Sequence, residues 1–174
     1  MKTVILLRHA KSSWMDSELD DHDRPLNRRG KRAAPVTALW IKRNGYLPDR
    51  VVCSTSRRTR QTVKRMRAAV PDLPEPVLEP GLYLAAPQSI VELVSTQPEA
   101  SERVMLVGHQ PGLSACARAL VNGSVRPGCH RAFEHFPTAA AAVLQLPVDR
   151  WSDVTLHTAE FVDFAMPREL DAVH

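Results

Sequence analysis

The segment VILLRHAKSSW, residues 4–14, runs from apolar side chains directly into Arg8 and His9. Residues 3–7 form a short run without charge, which predicts a strand that is buried on both faces. In open α/β sheets, ligands bind outside the carboxyl ends of the strands. Arg8 and His9 are therefore candidates for a functional site at the end of a buried strand.

The rest of the chain alternates predicted strands with predicted helices. A helix follows the N-cap Asn27 and ends at Asn44-Gly45, with Pro35 expected to kink it. Further helices are predicted over 57–69, 88–95 and 113–121, the last closed by Asn122-Gly123, and strands over 50–53, 103–108 and 153–158. The proline-rich segment 71–80 predicts a loop, and 139–146 fits either helix or strand. This alternation predicts an α/β fold: a three-layer α/β/α sandwich with a mostly parallel central sheet.

Length and composition are those of an ordinary globular protein. The 174 residues are 44% hydrophobic, which predicts one domain over 1–174. The apolar runs are too short for a membrane span and no secretory cleavage site follows the N-terminus, so we expect a cytoplasmic protein without a membrane partner. The three cysteines are too widely spaced to predict a disulfide framework or a zinc site. The net charge of +4 weakly favours anionic ligands.

Histidines and arginines follow three of the predicted strands. Arg8-His9 follows the first, STSRRTRQT (54–62) follows the second, and His109 follows VMLVG. At one sheet edge, arginine can bind phosphate oxygens with two parallel hydrogen bonds, and a neutral histidine can attack phosphorus. The pattern therefore predicts phosphoryl transfer through a covalent phosphohistidine.

The order of the motifs points to a family. LLRHAKSSW, S-x-x-x-R-x-x-Q-T and VGHQPG, with DRPLNRRG and EPGLYLA between them, resemble the histidine phosphatase (phosphoglycerate mutase-like) superfamily over roughly residues 2–145. The R-H-A-K-S form resembles its SixA-type phosphohistidine phosphatase branch. The resemblance implies a phosphoglycerate mutase-like fold and a metal-independent phosphatase without a cofactor, acting on a phosphohistidine protein. A phosphatase for small esters, such as sugar phosphates or nucleotides, and a non-catalytic phosphate-binding protein are the alternatives.

The resemblance also assigns the central residues of the site. His9 matches the nucleophile, Arg8 its phosphate-binding neighbour, and His109 the second histidine that contacts the phosphoryl group. The register of S-x-x-x-R-x-x-Q-T places Arg58 on the second phosphate-binding arginine, with Arg57 as its rival.

Three further residues are candidates for the site. Ser12 matches a polar position that lines the pocket, and Glu79 lies near the position of an acidic proton donor. Arg24 either faces the substrate or forms a salt bridge with Asp21 or Asp23. Phosphate esters have poor leaving groups and need such an acid, whereas the imidazole of a phosphohistidine leaves readily once it is protonated.

Other charged and aromatic segments are given structural interpretations. The basic run 57–67 is predicted to be a solvated helix face and no nucleic-acid site, because it lacks aromatic residues for base stacking. The acidic segment DDHD at 20–23 is not predicted to bind a metal, since adjacent side chains rarely converge on one ion. Packing roles are predicted for Trp14, Trp40 and Trp151. The pattern does not indicate an oligomeric state.

Overall fold

The predicted first strand lies inside a seven-stranded sheet. A computed structural model describes residues 1–171, and its strand order is β3-β2-β4-β1-β6-β7-β5. The strands are β1 Lys2–Arg8, β2 Arg50–Ser54, β3 Pro76–Glu79, β4 Arg103–Gly108, β5 Val121–Val125, β6 Ala141–Leu146 and β7 Ala159–Ala165. Strand β6 is antiparallel to both neighbours, and the other pairs are parallel. The prediction of a mostly parallel sheet is confirmed.

Helices cover both faces of this sheet. They are α1 Arg28–Arg43, α2 Arg57–Ala69, α3 Pro87–Ser95, α4 Gly112–Leu120 and α5 Pro167–Asp171. Successive side chains of a strand point to opposite faces. Ile5 and Leu7 accordingly pack with α1 and α2, whereas Val4 and Leu6 pack with α3 and α4. The three-layer sandwich is thus confirmed, with an apolar core on each side of β1.

Helices α1 and α2 each begin at a residue whose side chain caps the helix, and for α1 this is the predicted Asn27. The Asn27 side chain accepts a hydrogen bond from the Gly30 amide at 2.9 Å, which caps α1. The Ser56 hydroxyl accepts from the Thr59 amide at 3.4 Å and caps α2. Helix α1 continues through Pro35. No helix within residues 1–171 is both long and apolar enough to cross a bilayer.

The last predicted strand, 153–158, is wrong. Asp153 ends a short 3₁₀ helix, Trp151–Asp153, a turn follows at Leu156 and His157, and the final strand begins at Ala159. Leu156, which completes the alternation, is 55% exposed, and His157 has a positive φ of 58° that a strand does not accommodate. The alternation of apolar and polar residues over 153–158 therefore lies in a turn region and does not mark a strand.

Three other boundaries also differ from the prediction. The predicted loop 71–80 contains the edge strand β3, whose first residue is Pro76, a position where a strand tolerates proline. Helix α4 ends at Leu120, so Asn122-Gly123 belongs to β5 instead of closing the helix. The ambiguous segment 139–146 contains strand β6, because pairing with β1 and β7 overrides the helix preference of its alanines.

The strand register brings the candidate residues to one edge. Arg8 pairs with Gly108, and Cys53 pairs with Val107, so β1, β4 and β2 end side by side. The His9 amide donates to the Gly108 carbonyl at 3.1 Å. The residues that follow these three strands are therefore neighbours in space.

Candidate active site

The His9 ring is fixed in one tautomer by its own backbone. The residue is 7% exposed, and its Nδ1 lies 2.7 Å from the Ala10 carbonyl oxygen. A carbonyl oxygen only accepts, so Nδ1 carries the proton, and Nε2 of the neutral ring keeps its lone pair. The Ala10 amide in turn donates to Thr62 Oγ1 at 2.9 Å, which ties this turn to α2.

The surroundings of His9 keep its imidazole neutral. Burial is the main cause that lowers its pKa, to about 3, and the positive charges of Arg58 and Arg8 act in the same direction. The hydrogen bond to Ala10 raises the pKa but does not compensate. At neutral pH the Nε2 lone pair is therefore available for attack on an electrophile.

Arg58 lies between two imidazoles. It is 2% exposed, its Nε donates to His9 Nε2 at 3.4 Å, and its Nη2 donates to His109 Nδ1 at 3.3 Å. The centroids of the two rings are 5.3 Å apart. The arginine that the motif S-x-x-x-R-x-x-Q-T selects therefore has its guanidinium group beside both histidines.

His109 takes the opposite tautomer. Because its Nδ1 accepts from Arg58, the proton of the neutral ring lies on Nε2, which donates to Ser54 Oγ at 2.9 Å. Burial, followed by the charge of Arg58, lowers the pKa of His109 to about 4. Both imidazoles are thus neutral near pH 7.

Asp21 and Tyr83 hold Arg58 from its other side. Arg58 donates to the Asp21 carbonyl at 2.6 Å and to Asp21 Oδ2 at 3.0 Å, and the Tyr83 hydroxyl donates to Oδ2 at 2.5 Å. The Tyr83 ring meets His109 edge to face at 5.4 Å. Burial opposes ionisation of Asp21, but the hydrogen bonds from Tyr83 and Arg58 outweigh it and lower its pKa to about 2.

The sequence analysis missed these two positioning residues. Asp21 was considered only as a metal ligand or as a partner of Arg24, and Tyr83 lay unassigned within EPGLYLA. The signal in the sequence that marks Tyr83 is its position inside EPGLYLA, a motif that carries the family resemblance.

Arg24 joins Ser12 to this network. It is 7% exposed, donates through Nε to Asp21 Oδ1 at 3.1 Å, and donates through Nη1 to Ser12 Oγ at 2.7 Å. The salt bridge that the sequence left open is the one to Asp21. The centroid of the Trp14 ring lies 3.5 Å from the Arg24 guanidinium carbon, and the residue is 72% exposed. Trp14 therefore packs on an arginine and not in the core.

Arg8 has a free donor at the site. Its Nη1 donates to the Phe136 carbonyl at 3.0 Å, whereas its buried Nε has no partner among residues 1–171. Burial, followed by the charge of Arg58, lowers the pKa of Arg8. A buried donor without an acceptor and two guanidinium groups that repel each other fit an anion with several oxygens.

Arg57 and Glu79 are not joined to this cluster. Arg57 is exposed and donates to the Asp23 carbonyl at 3.4 Å, and Glu79 Oε1 accepts from the Gly81 amide at 2.8 Å. Within the described part of the chain, no hydrogen bond links either side chain to His9 or His109. The geometry favours Arg58 over Arg57 as a phosphate ligand, and the role of Glu79 stays a prediction.

The site combines two neutral imidazoles with two guanidinium groups. It can bind a tetrahedral dianion against Arg8 and Arg58 and present its phosphorus to His9 Nε2. Across residues 1–171, no group of three or more side chains is arranged to hold a metal ion. This fold and this arrangement of imidazoles and guanidinium groups define an α/β phosphatase.

Comparison with known proteins identifies the family. The chain belongs to the histidine phosphatase superfamily, whose branch 1 family model matches residues 4–83. An uncharacterised protein of Mycobacterium tuberculosis is 37% identical over 164 residues, which are 93% of this chain and 100% of that protein.

Two solved structures share the architecture. The candidate SixA phosphohistidine phosphatase of Agrobacterium tumefaciens is 31% identical, with a TM-score of 0.79 over 95% of this chain and 98% of the other. The corresponding SixA candidate of Nakamurella multipartitia is 31% identical, with a TM-score of 0.82 over 95% of this chain and 96% of the other. Both likenesses extend over 95% of this chain and support the phosphoglycerate mutase-like fold that the resemblance implied.

The tautomers can be tested directly by pH titration. Because the pKa values of His9 and His109 are lowered to about 3 and about 4, we expect both rings to stay neutral from pH 8 down to about pH 5 and to gain protons only below that. ¹⁵N NMR of histidine-labelled protein should show the proton on Nδ1 of His9 and on Nε2 of His109. Titration of His9 near pH 6.5, the ordinary value, would contradict the described environment.

The two adjacent arginines make a matched pair of variants. Arg58→Ala should weaken competitive inhibition by vanadate about 100-fold or more, because it removes a buried donor between the histidines. Arg57→Ala should change it less than about threefold, because that side chain is exposed. The reverse ranking would show that the register is wrong.

Proposed function

We propose that the protein hydrolyses phosphohistidine on a partner protein through a covalent phosphohistidine at His9. His9 Nε2 attacks phosphorus, the P–N bond of the substrate breaks, and the leaving imidazole takes a proton. Water then attacks the phosphorus of the phosphoenzyme, the P–Nε2 bond breaks, and inorganic phosphate leaves. The observation that carries this proposal is the lone pair of His9 Nε2, which Ala10 and burial keep free of a proton.

The remaining residues hold the charge of the reacting group. Arg8, Arg58 and His109 contact the phosphoryl oxygens, and Asp21 positions Arg58. When Nε2 becomes bonded to phosphorus, the His9 ring gains positive charge, and the Nδ1 bond to the Ala10 carbonyl strengthens. Arg24 donates to both Ser12 and Asp21 and so ties the segment after His9 to Asp21.

The state of Asp21 favours a phosphohistidine over an alkyl ester. Its pKa of about 2 keeps it ionised, and it accepts from both Tyr83 and Arg58, so it is not a proton donor. The phosphohistidine ring can take a proton from water before the P–N bond breaks and then leaves as neutral imidazole, a weak base whose conjugate acid has a pKa near 6.5. An alkoxide is a much stronger base and needs a proton from a general acid as the P–O bond breaks. A substrate with a P–N bond therefore suits a site whose nearest carboxylate is already ionised.

A small phosphate ester is the second candidate substrate. Glu79 is the last residue of β3, which ends at the same edge of the sheet as β2, next to Ser54. Its side chain accepts a hydrogen bond from the Gly81 amide. In its protonated form, this carboxyl group could donate a proton to the leaving oxygen of a bound ester. This arrangement makes Glu79 the residue that separates the two substrate classes.

A substrate panel separates the two candidates. We expect Glu79→Gln to leave kcat/KM for a phosphohistidine protein within about twofold, because the leaving imidazole needs no dedicated acid. If the protein acts on esters, the same variant should lower their kcat/KM by about 100-fold. Glu92→Gln, a change of an exposed carboxylate on α3, is the matched control.

The panel also has outcomes that decide against the proposal. Wild-type kcat/KM for sugar phosphates or nucleotides well above that for phosphohistidine protein would make the protein an esterase. Loss of phosphohistidine activity in Glu79→Gln would show that this carboxyl acts on the P–N bond as well.

A further inference from the structure

A second cavity lies behind the segment that follows His9. It has a volume of about 810 Å³ and is bounded by Lys11, the exposed side of α1, residues 135–138 and the start of α5. Four cationic side chains line it, and we call it the basic cleft: Lys11, Arg29, Arg32 and Arg168. None of these four residues belongs to the phosphate-binding cluster around His9.

Among the residues that line the basic cleft, cations outnumber carboxylates. Within residues 1–171, the side chains of Lys11, Arg29 and Arg32 form no ion pair or hydrogen bond. Two carboxylates line the cleft, Glu169 and Asp171, and Glu169 already forms a salt bridge with Arg131. The cleft therefore carries an excess of exposed cations, which attracts an anionic ligand.

The basic cleft and the candidate active site share a wall. Phe136, between two residues that line the cleft, accepts through its carbonyl from Arg8, and the Ala139 amide donates to the His9 carbonyl at 3.0 Å. Lys11 is two residues from His9, so their Cα atoms are within about 7 Å. Lys11 and residues 135–138 therefore connect the basic cleft to the backbone that holds Arg8 and His9.

The surface around both sites is wider and more apolar than a small phosphate needs. Met166 and Pro137 line the basic cleft together with its cations. Farther along the same segment, Trp14 is 72% exposed and Met15 is 96% exposed. Exposed apolar side chains of this kind are typical of protein contact surfaces.

We propose that the basic cleft binds an acidic segment of the protein that carries the phosphohistidine. This inference rests on the proposed function and adds the recognition element. Carboxylates of the partner would pair with Lys11, Arg29 and Arg32 while its phosphohistidine lies against His9. Such pairing gives a preference among protein substrates that the phosphate pocket alone cannot provide, and it accelerates encounter at low salt.

Two synthetic peptides test the recognition. Both carry one phosphohistidine, and one has four glutamates on one side of it where the other has four glutamines. For the wild-type protein at low ionic strength, kcat/KM for the glutamate peptide should exceed that for the glutamine peptide about tenfold, and the ratio should shrink at 0.5 M salt. A small aryl phosphate serves as the substrate that does not reach the cleft.

Charge reversal in the cleft should remove the preference. In the double variant Arg29→Glu with Arg32→Glu, we expect the two peptides to react at equal rates and the aryl phosphate to react as in wild type. Acidic residues near the start of α1 suit the helix dipole, so the variant should fold. The matched control is Lys31→Glu with Lys64→Glu, an equal charge change on a separate crevice, which should keep the tenfold preference.

Binding measurements separate this proposal from the proposed function. Fluorescence anisotropy of the unphosphorylated glutamate peptide should show binding to wild type and to the Lys31/Lys64 control, with at least tenfold weaker binding to the Arg29/Arg32 variant. That result supports the cleft even if neither phosphopeptide is hydrolysed, in which case only the proposed function fails. Hydrolysis of both peptides by the wild type at equal measurable rates, or tighter binding of a single-stranded oligonucleotide of the same charge, would overturn the proposal.

Discussion

The site depends on one buried cation, the Arg58 guanidinium group, which is shared between two neutral imidazoles and one ionised carboxylate. Its Nε and Nη2 donate to His9 and His109, while Asp21 accepts from Nη1 and Nη2. A buried guanidinium group without such partners would cost several kcal/mol, so Asp21 supplies the compensation that lets Arg58 stay 2% exposed. Burial is the main cause that lowers the pKa of both histidines, and the charge of Arg58 acts in the same direction.

The sheet makes this arrangement possible. Strands β1, β4 and β2 are buried and in parallel register, so the residues that follow them meet at one edge without a long loop. The short connection from β2 to α2 puts Ser54 beside His109 and Arg58 in the first turn of α2. The rigid apolar core on both faces of β1 therefore determines the distances between the catalytic candidates.

Local patterns predicted the parts of the site that lie next to strands. The apolar run 3–7 and the cap Asn27 depend only on neighbouring residues, and the structure contains both the strand and the cap. The register S-x-x-x-R-x-x-Q-T distinguished Arg58 from Arg57 for the same reason, and Arg58 lies beside both histidines.

Contacts between distant residues could not be predicted in this way. The Tyr83 hydroxyl reaches Asp21 across 62 positions, and no periodicity marks such a pair. The strand predicted at 153–158 failed because the alternation there lies in a turn, whereas the sheet continues with residues 159–165. The sequence of residues 139–146 fits either a helix or a strand, and pairing with the neighbouring strands β1 and β7 makes Ala141–Leu146 a strand.

The central claim is that His9 Nε2 forms a covalent bond to phosphorus. The direct measurement is the position of the phosphate on enzyme quenched in alkali during turnover of an aryl phosphate, by mass spectrometry of the peptide and by ³¹P NMR of histidine-labelled protein. We expect an acid-labile phosphate on Nε2 of His9 and none on the His9→Ala variant. Phosphate on Nδ1 or on another residue, or turnover without a phosphoenzyme, would contradict this account.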